Sequence, residues 1–547
     1  MITLKLVTLG LLFLHSIDTI AQQPHTEWIQ RYNSPGNFNE DLIDMALDKN
    51  GNIYLTGNSG QPSDIVTLKY DNQGNLLWTK FYDGSANHGD KAVKIAVDDS
   101  GFVYVAGNST DPLESSNYLT IKYDKYGNTI WERELQNGDS TTDISQDMIL
   151  DDSSNILISG YGYQCAKCFA DYLTVKYDRN GNLIWKRFYH GEGYFSNLGW
   201  ALTQDNLGRI IVTGRSADAN NNTITATIIY NANGDLLNAM KCDSTYVTKI
   251  ITDSTNNIYI GGYQRTNQVH NVHDIFANKY DNDGILNWRI SYNSPNALMN
   301  HNEYLSDMKL DAANKNIYLT GRGDYNNTAG WEYLILKYNI HGDTVWQKGF
   351  SPIASSSNSA ESMTIDTLSN VYITGYSDYN TPYNRFLTVK YDSAGQLVWF
   401  TNYSAHLLAN HIAKKVLLDK NNSVLVAGTS FGLQSGTNDI VLVKYSQMVS
   451  INPNSNGIVR NFSLLQNYPN PFNNNTIINY SISYPSDIKL VVYNILGKEV
   501  KVLVNDFLEN GIYEFKFNAG NLPTGVYFYS LFSDGNLIDK KKSILIK

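Results

Sequence analysis

The sequence predicts an all-β chain: an eight-bladed β-propeller closed by an N-terminal strand, followed by a small Ig-like β-sandwich. Three observations carry this. One phrase recurs eight times within the 547 residues, at a spacing of about 47 to 60 residues that suits blade-type repeats rather than helical solenoids. Each apolar run in the phrase is short, alternating and bounded by Asp, Asn or Gly, and no 3.6-residue period persists. A tryptophan-bearing strand precedes the first full unit, and none follows the last.

The first element, residues 1–21, reads as a secretory leader. Lys5 supplies a positive charge, Leu6 to Leu14 an apolar core, and Thr19-Ile20-Ala21 a small-residue cleavage site. That core is too short to span a membrane, and no later stretch approaches ~18 unbroken apolar residues, so no transmembrane segment is expected in the mature protein.

Residues 22–446 form the propeller. Its clearest unit runs Asp48-Lys-Asn-Gly-Asn52, Ile53-Tyr-Leu-Thr-Gly57, Asp64 to Asp71, and Leu76-Leu-Trp78-Thr-Lys-Phe-Tyr82. Four short antiparallel strands per unit, labelled A to D from the axis outward, describe a blade. A glycine ends strand B at Gly57, Gly107, Gly160, Gly214, Gly261, Gly321, Gly375 and Gly428. A tyrosine ends strand C at Tyr70, Tyr123, Tyr177, Tyr230, Tyr280, Tyr338, Tyr391 and Tyr445. The strand D tryptophans are Trp28, Trp78, Trp131, Trp185, Trp288, Trp346 and Trp399, with Leu237 where the eighth would stand. Eight inner triplets can share eight outer strands only if the strand around Trp28 completes the last blade. That closure removes open edges, which invite aggregation.

Strand direction sorts the loops. The A–B and C–D turns share one face and are short and uniform. Their Asp accepts backbone hydrogens while Gly and Asn tolerate positive φ, so their recurrence is structural. Asp281-Asn-Asp283-Gly284 resembles the start of a calcium loop but lacks a downstream glutamate. The B–C and D–A loops on the other face vary in length and are rich in Tyr, Asn, Ser and Gly. Variable loops on a uniform scaffold are how binding surfaces are built, and this mix offers rigid amphipathic contact. Tyr163, Trp200, Tyr263, Tyr325, Trp331, Tyr379 and Tyr383 are the candidate ligand contacts.

Composition excludes several classes. Charged residues are 17% and net charge is −10, against nucleic-acid wrapping or docking on anionic lipid. Three cysteines are too few for a disulfide framework, and Cys165 and Cys168 are expected to close a local surface disulfide. His270, His273, His301, His406 and His411 all fall on the variable face, but the His-x-x-His pair of His270 and His273 sits in a loop with no predicted helix, and no metal is assigned. No nucleophile elbow, phosphate loop or dinucleotide fingerprint occurs, so no catalytic residue and no cofactor are assigned.

In Asn-Ile-Tyr-Leu-Thr-Gly followed by Lys-Tyr-Asp-x-x-Gly-Asn-x-x-Trp, the chain resembles the bacterial SBBP-type β-propeller repeat over roughly residues 28 to 446. That resemblance speaks to fold and hardly to function. The Asp-x-x-Gly-x-x-x-Trp segment also looks like the repeats of quinoprotein dehydrogenases, but the adjacent cysteines those enzymes place over their cofactor are missing here. Fold-level likeness does not carry chemistry.

Residues 447–460 are a polar linker marked by Pro and Gly. From 461 to 547 a compact domain is expected, with strands at Thr476–Ile482, Ile488–Tyr493, Tyr513–Phe517, Gly525–Leu531 and Ser543–Lys547. Its motifs Asn467-Tyr-Pro-Asn-Pro-Phe472, Val492-Tyr-Asn-Ile-Leu-Gly497 and Leu522-Pro-Thr-Gly-Val-Tyr527, with the Lys-rich end, resemble the type A C-terminal sorting domain of type IX secretion cargo. The resemblance assigns Pro469, Pro471, Gly497, Gly525, Tyr527, Lys541 and Lys547 to the sorting signal and makes the outer-membrane translocon the partner. It places the protein at the cell surface or in the medium of a Gram-negative bacterium. The expectation is a non-catalytic propeller binding a glycan or protein. The alternatives are a secreted enzyme, quinoprotein-like or polysaccharide-active, and a structural surface-layer component.

Overall fold

The computed structural model describes residues 24–447 and 462–547, except 61–62, 85–87, 138–141, 166–167, 244–245, 268–271, 294–301, 324, 326–329, 354–355, 380, 407, 483–485, 509–510 and 521. The leader, almost all of the linker, His270 and His301 lie outside the described residues. The chain divides into two compact units that meet between Gln447 and Met448. No described helix is long and apolar enough to cross a membrane.

The first unit consists of eight four-stranded antiparallel sheets. Sheet 1 runs Asp41–Leu47, Ile53–Ser59, Asp64–Tyr70 and Leu76–Tyr82, which are its strands A to D. Sheets 2 to 7 repeat this order. Sheet 8 takes strands A to C from His411–Leu418, Val424–Phe431 and Asn438–Ser446, and its fourth strand is His25–Tyr32 from the other end of the chain. There Thr26 pairs with Tyr445 and Tyr32 with Ile440. Each strand A packs against strand A of the next sheet, and that of sheet 8 packs against that of sheet 1.

The repeated residues are explained by a clasp between neighbouring sheets. Lys69 on strand C pairs across the sheet with Trp78 on strand D. Both reach the same backbone carbonyl, that of Lys125 in the C–D turn of sheet 2, at 2.9 and 3.3 Å. Lys122 and Trp131 reach the Arg179 carbonyl in the same way, Lys279 and Trp288 that of Ile340, and Lys337 and Trp346 that of Ser393. Lys69 also lies over the Tyr54 ring, whose hydroxyl donates to Asp48. Burial pulls the pKa of Lys69, Lys122, Lys279 and Lys337 down, and neighbouring aspartates compensate only part of the desolvation. The turn glycine sits on the indole: a Cβ on Gly127, at φ +86°, would lie 2.9 Å from Trp78 Cδ2.

Two positions differ from the sequence reading, one where this signature lapses and one where two glycines adjoin. In sheet 4 the residue in tryptophan register is Asn238, not Leu237, and its strand C partner is Ile229 rather than a lysine. Lys and Trp are lost together, and the Asn282 carbonyl of sheet 5 accepts from Arg209 Nη1 instead, at 2.8 Å. In sheet 5 the glycine in register is Gly262, not Gly261. A Cβ there would stand 2.0 Å from the Tyr246 carbonyl oxygen, the same backbone approach that excludes side chains at Gly160 and Gly214.

The second unit has a sheet of Ser463–Leu464, Asn475–Ile482 and Gly511–Asn518, and a sheet ordered Glu499–Leu508, Ser486–Asn494, Gly525–Ser533, Asn536–Leu545. The two sheets share one apolar core, including Ile478, Tyr480, Leu490, Val504, Phe517 and Leu531. Glu499–Leu508 was not anticipated, and the last strand begins earlier than expected.

Candidate functional site

The variable face is organised by one column of the repeat, the residue following the strand B glycine. It pairs with an early residue of strand A at the mouth of the ring. In three sheets this residue is small and polar and holds the next sheet. The Leu42 N–H donates to Thr429 Oγ1 at 3.0 Å, the Ala92 N–H to Asn58 Oδ1 at 2.9 Å, and the Ser145 N–H to Asn108 Oδ1 at 2.7 Å. In the other five sheets the same position carries Tyr161, Arg215, Tyr263, Arg322 and Tyr376. A small side chain suffices for the fold, so the large ones need another explanation.

Across sheets 4 to 6 these side chains join a run of rings. Trp200, the extra residue of a bulge in strand A of sheet 4, stacks at 6.3 Å on Tyr246, the first residue of strand A in sheet 5. Tyr246 stacks at 5.0 Å on Tyr263, which meets Tyr304 of sheet 6 edge-on at 4.8 Å. Tyr304 stacks at 5.7 Å on Trp331. Arg322 lies over both, 4.9 Å from the Tyr304 ring centre and 3.9 Å from that of Trp331. His273 is buried behind the run, within 5.6 Å of Tyr263, with Nδ1 3.0 Å from Asn302 Oδ1. Burial raises the Tyr263 hydroxyl pKa, with Tyr246 and Tyr304 adding to it, so the phenol stays protonated at neutral pH. Tyr246 is 38% exposed, while Trp200, Tyr263, Tyr304, Arg322 and Trp331 are half-buried.

Of the seven sequence candidates, Trp200, Tyr263 and Trp331 come together here. The others do not join the run. Tyr325 donates its hydroxyl to the Gln347 carbonyl of strand D and packs on the core of its sheet. Tyr379, at φ +50°, lies under Arg385 in sheet 7. The Tyr383 backbone is tied to Thr381, and Tyr163 ends a strand B beside the Cys165–Cys168 disulfide. Tyr246, Tyr304, Arg215 and Arg322 were not among the candidates, although aligning the repeats on the strand B glycine puts all four at the mouth.

A second feature escaped the sequence reading. The residue after the bulge in strand A is, around the ring, Asp44, Lys94, Asp147, Ala201, Lys249, Asp307, Ser362 and Lys415. Lysine faces aspartate of the next sheet three times: Lys94–Asp147 at 3.3 Å, Lys249–Asp307 at 3.7 Å and Lys415–Asp44 at 3.0 Å. Each aspartate also accepts a backbone N–H of the following sheet, from Ile95, Leu202 or Met363. Burial pushes the Asp44 and Asp307 carboxyls up, but the surrounding lysines and these hydrogen bonds outweigh it and hold both below the usual value. Asp307 raises the Lys249 pKa, yet burial and the like charges of Lys415 and Lys94 prevail and lower it. Charges from sheets 2, 5 and 8 thus feel one another across the ring.

Other groups are accounted for locally. His411 Nδ1 lies 2.7 Å from Ser430 Oγ and its Nε2 2.8 Å from the His406 carbonyl. The Asp281 side chain accepts the N–H groups of Asp283 and Ile285, which is the work of a turn. Asp64, Asp83 and Asp90 bring carboxylate oxygens within 4.8 Å of one another. Burial, then the two neighbouring charges, holds Asp64 up at about 6. In the second unit, Gly497 takes φ +75° in a turn and the Tyr527 hydroxyl donates to the Pro523 carbonyl. Pro469 and Pro471 both follow cis peptide bonds. Lys541 pairs with Asp539 at 3.0 Å and Lys547 Nζ donates to the Gly520 carbonyl at 2.7 Å. Gly525 opens a strand.

Comparison with known proteins agrees with both units. Residues 466–547 belong to the secretion system C-terminal sorting domain family, and residues 84–114 match the beta-propeller repeat family, SBBP. No curated protein matches the chain. Among solved structures it is similar to the Dos1 propeller at a TM-score of 0.50 and 9% identity, over 77% of this chain and 95% of that one. It is also similar to the periplasmic gluconolactonase PpgL of Pseudomonas aeruginosa, at a TM-score of 0.38 and 10% identity over 76% and 99% of the chains. The β-propeller domain of the Trilobed protease from Pyrococcus furiosus gives 0.38 and 10% over 66% and 98%. The likeness to the Dos1 propeller concerns the fold and agrees with the repeat family: the first unit is a β-propeller. The sorting domain makes the chain an export cargo bound for the cell surface or medium.

Proposed function

We propose that this chain is a non-catalytic binding protein: an eight-bladed propeller, residues 22–446, closed by its N-terminal strand and carried out of a Gram-negative cell by an Ig-like C-terminal sorting domain, residues 461–547. The leader takes it across the inner membrane, and the sorting domain engages the type IX translocon at the outer one. The propeller binds a glycan or a protein at the mouth between sheets 3 and 7. One observation carries the reading: a position filled by small, hydrogen-bonded residues in three sheets is filled by Tyr or Arg in five, next to a continuous run of rings. Half-exposed aromatic rings held by their neighbours lose little side-chain freedom on binding, which favours recognition.

The test is binding of purified residues 24–547 to a glycan array and to outer-membrane proteins, with Trp200→Ala and Tyr246→Ala alongside. Binding that both variants weaken by tenfold or more supports the site. Binding that neither affects moves the site elsewhere, and turnover of any bound polysaccharide replaces this reading with the enzymatic one.

A further inference from the structure

We propose that the ligand at this mouth is an acidic polysaccharide, whose carboxylate or sulfate groups are received by Arg322 and Arg215. The inference rests on the mouth being the binding site and deepens that reading. Arg322 lies over two stacked rings, 3.9 Å from the Trp331 centre and 4.9 Å from that of Tyr304. Stacking uses the faces of a guanidinium and leaves the five N–H donors around its edge. Among the described residues Arg322 makes no hydrogen bond and no ion pair, and neither does Arg215. The arginines that hold the fold behave otherwise. Arg31 pairs with Asp439 at 2.6 Å, Arg209 with Asp205 at 2.6 Å, and Arg133 and Arg187 donate to turn carbonyls at 2.8 and 2.7 Å. Half-buried guanidinium donors without acceptors fit an anionic ligand, which they can bind bidentately.

The arrangement favours a polymer of rings over an acidic peptide. Arg215 and Arg322 occupy the same repeat position two sheets apart, with Tyr263 at that position between them. The aromatic run crosses the same three sheets. Sugar rings offer flat C–H faces to such a run at regular intervals, and an acidic polysaccharide repeats its charge in step with them. Net charge of −10 disfavours diffuse binding of polyanions to the rest of the molecule, so the affinity must come from this mouth.

The experiment uses residues 24–547 and affinity electrophoresis against polygalacturonate, dextran sulfate, uncharged dextran and laminarin. The variants are Arg322→Gln, Arg322→Lys, Arg215→Gln and Trp200→Ala, with Lys420→Gln on the opposite face as a control. Expected is retardation by one of the acidic polymers that Arg322→Gln weakens roughly tenfold or more, that Arg322→Lys weakens less, and that Lys420→Gln leaves as it was. Preference between polygalacturonate and dextran sulfate separates carboxylate from sulfate recognition. Retardation by the neutral polymers alone, lost in Trp200→Ala, overturns the acidic ligand and leaves the binding site standing. Retardation by no polymer overturns the polysaccharide ligand and leaves a protein partner to the wider reading. Melting curves separate a folding failure in any variant from a binding one.

Discussion

Lys415→Met is the most direct test of the lysine–aspartate ring. Lys415 Nζ lies 3.0 Å from Asp44 Oδ1, with the lysine side chain 28% exposed and the aspartate 6%. Removing one partner of a buried pair typically costs 3–5 kcal/mol, because the other charge stays buried without compensation. Here the Ile95 N–H and the charge of Lys94 still act on Asp44. Lys415 is also partly solvated, so the expected loss is smaller, about 2–3 kcal/mol at pH 7. The double variant Asp44→Asn, Lys415→Met no longer buries a lone carboxylate and should lose less than the two single variants summed, with a coupling on the order of 1–2 kcal/mol. Urea denaturation followed by tryptophan fluorescence gives both numbers. The pH dependence has a fixed sign. Asp44 in the intact protein sits below its ordinary 3.8, so its contribution is present above that pH and lost as pH falls through the folded value. In Lys415→Met the carboxyl rises, and protonation relieves the penalty, so the gap between variant and parent narrows toward pH 4. A loss below about 0.5 kcal/mol at pH 7, or a strictly additive double variant, would refute the claim that these pairs join neighbouring sheets.

Three further outcomes follow from the geometry. Gly101→Ala, at φ +83° with only Lys125 Cβ near at 3.6 Å, should cost about 1–2 kcal/mol from the left-handed backbone alone. Gly127→Ala should cost more, because its Cβ also strikes the Trp78 indole, and paired denaturation midpoints report the difference. Asp143, fully buried, is held up at about 6 by burial against 3.8 for the free side chain, so the stability it confers is present below 3.8 and lost as pH rises through 6. Asp143→Asn should flatten the melting temperature between pH 4 and 7 relative to the parent. Deleting residues 24–32 strips the fourth strand from sheet 8 and leaves Asn438–Ser446 as an open edge, for which size-exclusion chromatography should show association or aggregation.

Most of the propeller is readable in the sequence because its contacts repeat. Lys, Trp and the turn Gly are three parts of one clasp, so each copy marks the register of the next. The reading slipped by one residue twice: at Leu237, where Ile229 and Asn238 replace the lysine and tryptophan and remove the marker, and at Gly261, where the adjoining Gly262 offers two glycines for one position. The strand Glu499–Leu508 was hidden by a bulge. Leu490 pairs with Val504 and Val491 with Val502, leaving Leu503 as the extra residue, so two successive residues, Leu503 and Val504, are buried and strict alternation fails. The mouth was half legible. Trp200 and Trp331 stand out as tryptophans outside the repeat, whereas Tyr246, Tyr304 and Arg322 gain meaning only when ring contacts across three sheets are seen. The lysine–aspartate ring was written in one column of the repeat, but no single unit shows that its charges alternate.

The closing strand also fixes how the propeller is held. His25 pairs with Ser446 at the end of sheet 8 that carries the short turns, while the aromatic mouth lies at the opposite ends of the strands. Polypeptide therefore enters and leaves this unit at one point on its back. A tag, a bead or a membrane tether joined at either end grips the propeller from behind, and trimming at either end spares every residue of the mouth. Immobilised through either end of this unit, the propeller should keep the ligand affinity it has in solution.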